Sequence, residues 1–232
     1  MTGGGARVER SAFAAARDLT ITVEAGDAPP MRPDEQRRWE ALRGANPALF
    51  DGAIYSVTSL DSAAGVMRCR RGRYREIVLR RPGDDVRLLS VTGLLVHEGS
   101  RVLLGQRGAK LRSYPGMWEI GPAGGVEPAE GEGQVSIERI RAALAAEIVE
   151  EIGVAIDTGG AQCVGVCSDD AARSLDIVLR IDLEGTAPAP RHGDGWEYED
   201  AAWVAIGDLP RFTAQRATIA PSRAIMQALG WI

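Results

Sequence analysis

Ile137, Ile140, Leu144 and Ile148 recur at spacings of three and four, a period that only a helix turns into one apolar face. Gly153 follows as the expected stop, since a helix commonly ends on a residue free to take positive φ. The last turns of this helix carry Glu147-Ile148-Val149-Glu150-Glu151-Ile152-Gly153-Val154, and before it lies the turn Gly124-Gly125-Val126-Glu127-Pro128. Glu147, Glu150 and Glu151 stand at i, i+3 and i+4 and so share one side, next to the apolar stripe rather than opposite it. Three anions at a partly desolvated rim repel one another more strongly as the local dielectric falls. A hard divalent cation relieves that repulsion, and Mg²⁺ takes one or two carboxylates together with phosphate oxygens. An exposed acidic helix end would explain the three glutamates equally well.

The 232 residues suffice for one sizeable core, or a core with a small attached lobe. A net charge of −5 argues against nonspecific binding to nucleic acid or an anionic membrane. No apolar run approaches the length of a membrane span, and Ala12 to Ala16 is too short and too soon interrupted for a secretory signal. Cys69, Cys163 and Cys167 include no CxxC pair, and the last two alternate with valines as core residues do. A reducing cytoplasm fits this usage.

Leu19 to Val23 reads as a strand, Asp34 to Ala45 as a helix opened by Pro33, and Asn46 to Gly52 as a turn around two apolar anchors, Leu49 and Phe50. Ile54 to Leu60 and Val66 to Arg70 read as a hairpin. Arg68, Arg70, Arg71, Arg73, Arg75, Arg80 and Arg81 form a basic cluster in an acidic chain. One or two of these guanidinium groups suit a diphosphate, while a charged, solvated strand edge is the plainer explanation. Further strands are expected at 88–97, 101–106, 161–166, 176–182 and 201–204, and an amphipathic helix at Pro221 to Leu229. Tyr114 and Trp118 are candidates to stack on a base or sugar, or to fill the core. His97 and His192 have no partner at ligand spacing and are given no role.

The stretch from Gly124 to Val154 resembles the Nudix box. Its second half corresponds to Glu147, Ile148, Glu150, Glu151, Gly153 and Val154, and its first to the Gly124-Gly125 turn. Val91 to Val96, Val102 to Arg107 and Tyr114 to Glu119 are similar to the strands and loop that precede the box, and Ala202-Trp203-Val204 with Asp208-Leu209-Pro210 to the exit strand and turn. The resemblance spans roughly residues 86–232. Two departures stand out. The interval from Gly125 to Ala146 is seven residues too long for the family pattern, so the first box glutamate falls on Gly131, between Glu130 and Glu132, or on Glu138. Ala146 occupies the place of the box arginine, and Arg139 lies about 10 Å earlier along the helix. The stretch Trp39…Asn46-Pro47-Ala48-Leu49-Phe50-Asp51-Gly52 is similar to one found in the subgroup that hydrolyses UDP-glucose and UDP-galactose.

The resemblance implies an α/β/α sandwich around a mixed sheet for residues 86–232, with residues 1–85 as a small β-rich lobe. It implies Mg²⁺-dependent hydrolysis of a nucleoside diphosphate linked to another group, a UDP-sugar by preference, to UMP and a sugar 1-phosphate. Gly124, Glu147, Glu150 and Glu151 are the expected metal ligands, with Mn²⁺ as an alternative ion. Glu150 or Glu151 is expected to orient or deprotonate water. Arg107, Tyr114, Trp118, Glu197 and Glu199 are the expected substrate contacts, the last two from the loop Arg191 to Asp200. The partner is then a small-molecule nucleotide, with a homodimer as one expected assembly. A Nudix fold that binds nucleotide without cutting it is the alternative, motivated by Ala146 and the long box.

Overall fold

The computed structural model describes residues 11–16, 18–47, 49–81, 83, 85–190 and 197–232. Through the first third run β1 (Ser11–Ala15), β2 (Thr20–Glu24), α1 (Pro33–Ala45), β3 (Ala53–Asp61), β4 (Val66–Arg73) and α2 (Tyr74–Leu79). There follow β5 (Arg87–His97), β6 (Arg101–Arg107), β7 (Trp118–Ile120), β8 (Ala123–Gly125), β9 (Gln134–Val135) and α3 (Ile137–Ile152). The chain closes with β10 (Gln162–Asp169), β11 (Ser174–Leu183), β12 (Tyr198–Ala205), α4 (Leu209–Gln215) and α5 (Ala220–Ala228).

One mixed sheet joins all of these strands, and β5 is its axis. Along one edge β5 pairs in parallel with β11 from Leu88 to His97. Its other edge is shared in succession by β3 at Arg87 and Leu88, β8 at Ser90 to Thr92 and β6 at Val96 and His97. A strand covered on both faces should be apolar almost without alternation, and Leu88-Leu89-Ser90-Val91-Thr92-Gly93-Leu94-Leu95-Val96 reads so. Leu89, Val91 and Leu95 pack with Ile140, Leu144, Ile148 and Ile152 of α3, whereas Leu94 and Val96 pack with Phe212 of α4 and Ile225 and Met226 of α5. Helices thus cover both faces of a mixed sheet, the α/β layering expected from the sequence.

The apolar face of α3 begins one turn later than its periodicity suggests. Ile137 is 37% exposed, and Ile152 completes the buried stripe. Ser136 caps the first turn by accepting from the Arg139 amide at 3.3 Å, and Gly153 ends the helix at φ 66°. Gly93 decides how closely α3 approaches, since a Cβ there would lie 2.8 Å from Leu144 Cδ1.

Several elements escaped the sequence reading, among them β9 and β8, the latter where a glycine turn was expected. β1, a stretch to which the sequence reading assigned no strand, pairs antiparallel with β10 from Ser11 to Ala15. α2 arises inside the basic run, and α4 where only a turn was expected. Phe50, expected to anchor its turn in the core, is 77% exposed. The strands of residues 11–73 continue the same sheet, and Ile21, Tyr55, Val57, Met67 and Cys69 share a core with β5 and α3. Among the described residues no helix is long and apolar enough to cross a membrane.

Candidate functional site

Because Gly93 lets α3 settle closely onto β5, the last turns of the helix come level with β8, the next strand along that edge of β5. Glu151 is 4% exposed, and its Oε2 accepts from the Ala123 amide at 3.0 Å. Glu147, one turn earlier, lies against Gly124, where a Cβ would come within 1.8 Å of its Oε1. The glycine therefore makes the room that this carboxylate occupies. Glu197, just before β12, brings a third carboxylate, and one oxygen from each of Glu147, Glu151 and Glu197 lies within 4.8 Å of the others. The Glu197 carbonyl accepts from the Gly108 amide at 2.7 Å, which ties it to the end of β6.

The electrostatics of this group are strained. Burial, then the neighbouring charges of Glu197, Glu150 and Glu127, pushes the Glu147 carboxyl up to about 7. Glu151 is held well above the usual carboxylate range, first by burial and then by Glu119, Glu197 and Glu147. Glu119, 3% exposed on β7, is also pushed up by burial, against the opposing pull of Arg107. Arg107 donates to it from Nη1 at 2.6 Å. Tyr198 of β12 closes the group, its hydroxyl buried close to Gly121. Neither Glu119 nor Tyr198 was singled out from the sequence. Glu119 follows Trp118 in an ordinary strand pattern, and its only signal is an acid at a buried alternate position.

The remaining candidates lie as follows. Glu150 is exposed on α3, outside the three-carboxylate group but close enough to raise Glu147. Glu199 is exposed, and its Oε1 accepts from the Ala109 amide at 2.9 Å. Tyr114, at φ 54°, donates to Asp169 Oδ1 at 2.8 Å and lines a cavity of about 290 Å³ that also reaches Arg107, Glu119, Gly124 and Asp176. Asp176 is buried there, its carboxyl raised to about 7 chiefly by burial. Trp118 is buried in the core, edge-on to Phe212 at 5.1 Å. A second cavity, of about 300 Å³, is lined by Phe50, Ala53, Tyr74, Val126 and Glu147. Tyr74, Leu88 and Gly125 line both.

The long box is anchored away from the carboxylates. Glu132 accepts from Arg139 Nε at 2.9 Å and from the Tyr55 hydroxyl, which in turn accepts from the Ala129 amide at 3.2 Å. Glu138, the other contender for the first box glutamate, is exposed in the first turn of α3. The clustered arginines are committed to the fold. Arg70 pairs with Glu76, Arg75 with Asp51, Arg81 with Glu35 and Arg68 with Glu24. Arg71, Arg73 and Arg80 donate to the carbonyls of Ala129, Asp51 and Ala171. His97 is packed against Trp203, its Nε2 2.8 Å from the Gly185 carbonyl. His192 lies outside the described residues.

The NUDIX domain family model matches residues 86–225. Among solved structures, a bifunctional NMN adenylyltransferase/ADP ribose pyrophosphatase from Francisella tularensis, complexed with AMP and Mn ion, aligns at 19% identity and TM-score 0.52, covering 67% of this chain and 44% of its own. A MutT NUDIX hydrolase from Burkholderia pseudomallei aligns at 25% identity and TM-score 0.43, covering 60% of this chain and 95% of its own. The NUDIX domain of Shewanella oneidensis NrtR, complexed with ADP ribose, aligns at 15% identity and TM-score 0.44, covering 66% and 93%. The Francisella likeness supports the fold. No curated protein matched the chain.

Proposed function

This chain belongs to the NUDIX domain family and is a Nudix hydrolase acting on phosphorus anhydrides, and from that premise we propose that it cuts the diphosphate of a nucleoside diphosphate sugar, with a divalent cation held by Glu147, Glu151 and Glu197. The observation that carries this reading is the convergence of those three carboxylates within 4.8 Å beside a glycine that makes room for one of them. Glu147 and Glu151 hold protons to unusually high pH beside Glu197, and hard oxygen donors are the set that Mg²⁺ or Mn²⁺ takes. The residues present therefore fit the ion.

When bound, the ion neutralises charge on phosphoryl oxygens and lowers the pKa of a coordinated water. The chain's own residues do the rest. Glu151, fixed by the Ala123 amide, sets the position of the donor group, and Glu147 and Glu197 close it from two other elements. Glu150, exposed beside Glu147, is placed to orient the attacking water or receive its proton. Gly124 and Gly125 present backbone without Cβ atoms at the junction of the two cavities, so a diphosphate can approach closely.

The N-terminal stretch favours a UDP-sugar, and the Francisella relative is an ADP ribose pyrophosphatase by description. Both are nucleoside diphosphate sugars, and one assay compares them. Incubation with Mg²⁺ and UDP-glucose, UDP-galactose or ADP-ribose is expected to release nucleoside monophosphate and sugar phosphate. Glu151→Gln is expected to lower turnover by about a thousandfold. Absence of cleavage of all three by the wild-type protein, or full activity in Glu151→Gln, would contradict the reading.

A further inference from the structure

We propose that the cleft of about 300 Å³ between the Phe50 loop and the Gly125–Glu127 turn seats the nucleobase of the substrate, with Phe50 as its stacking platform. The inference deepens the proposed function and rests on it.

Phe50 is the most exposed of the large apolar side chains among the described residues, at 77%. Its backbone is nevertheless pinned on both sides of the exposed ring. Leu49 donates its amide to the Asn46 carbonyl at 3.0 Å. Asp51 accepts from the Arg75 amide at 2.9 Å and from Arg75 Nη1 at 2.6 Å, and the Gly52 carbonyl accepts from the Tyr74 amide at 3.0 Å. A Cβ on Gly52 would come within 3.2 Å of the Phe50 ring, so the ring lies folded back over that glycine. Phe50 and Tyr74 line the cleft together with Gly125, Val126 and Glu147. A preorganised aromatic left in water beside an anhydride-cleaving group calls for a partner with a π-face.

The chemistry of the two cavities separates the halves of the substrate. Apolar and aromatic groups such as Phe50, Ile54, Tyr74, Leu88 and Val126 line this cleft and suit a planar base. The other cavity, although Ile120, Ile219 and Ile225 also line it, carries Ser90, Thr92, Glu119, Asp169 and Asp176, polar groups the base cleft lacks and which suit hydroxyl groups. Glu147 lines the base cleft and Gly124, against which it packs, lines the other cavity, so a diphosphate lying across that contact reaches both.

The test uses the full chain and the exposed residue alone. Stacking by one aromatic is worth about tenfold in affinity. Phe50→Ala is therefore expected to raise KM for UDP-glucose or ADP-ribose by about that factor while leaving kcat within about twofold, and Phe50→Tyr to restore it. In calorimetric titrations, Phe50→Ala is expected to weaken UMP or AMP to the same degree and to leave glucose 1-phosphate or ribose 5-phosphate unchanged. Unchanged KM and unchanged monophosphate affinity would overturn the proposal, as would a loss confined to the sugar phosphate. A wild-type protein that cleaves none of these substrates refutes the proposed function, and the monophosphate titration then still decides the cleft.

Discussion

Gly124 shows how a single absent methyl shapes the site. A Cβ there would strike the Glu147 carboxylate, the far end of a flexible side chain, so the fold can yield but the donor cannot stay in place. Gly124→Ala is expected to change thermal stability little and to raise the Mg²⁺ concentration for half-maximal activity by 10- to 100-fold, roughly the range seen when metal ligands lose their support. An unchanged Mg²⁺ dependence in steady-state assays would exclude this role. Protonation offers a second test. The Glu147 carboxyl rises from an ordinary 4.5 to about 7 on folding, so between those values the native state binds more protons than the unfolded chain. Its contribution to stability is full below pH 4.5 and is lost as pH rises through about 7. Without divalent cation the melting temperature should fall between pH 5 and 8, and Mg²⁺ should restore it mainly at pH 8. Asp176 titrates in the same window with the same sign, so the slope should flatten in part, not wholly, in Glu147→Gln. Melting curves at the two pH values check this. At this scale the glutamates of α3 were legible, because helical spacing alone puts Glu147 and Glu151 on one side. Glu119 and Tyr198 were not, because what makes them part of the site is burial against residues distant in sequence.

The helix α3 was read nearly to its ends, since an apolar period of 3.6 and a glycine stop are both local signals, and the structure adds the Ser136 cap. Its approach to the sheet was not, because that depends on Gly93 forty-odd residues earlier in the chain. In Gly93→Ala the new methyl would meet Leu144 Cδ1 at 2.8 Å and Leu95 Cδ1 at 2.9 Å. Overpacking of that kind costs about 1–3 kcal/mol. The variant should lose that much in denaturant unfolding and should also lose activity, because the helix carries two of the three donors. A stable, fully active variant would show that α3 tolerates displacement. The elements missed were short or compositionally disguised. The alanines of β1 gave no β signal, and the six residues of α2 sit within arginines. Those arginines are legible only in three dimensions, where each meets a carboxylate or a carbonyl already in the fold.

At the scale of the whole molecule, the first strands and the matched domain share one sheet and one core. Tyr55, Val57 and Met67 pack with Leu89, Val91 and Leu144, so neither part closes its apolar surface alone. Chemical unfolding followed by circular dichroism and by tryptophan fluorescence should give coincident single transitions. Two separated transitions would mean that residues 1–85 fold as an independent lobe. The layered fold was legible because β5 is apolar on both faces, while the joining of β3 to its free end was hidden in a two-residue pairing. The central claim concerns what holds the cation, and the most direct measurement is an anomalous difference map from a crystal soaked with Mn²⁺ and a nucleoside diphosphate sugar analogue. The account predicts a peak bonded to oxygens of Glu147, Glu151 and Glu197, beside Gly124 and the diphosphate. A peak elsewhere, or bare carboxylates with nucleotide bound, would contradict it.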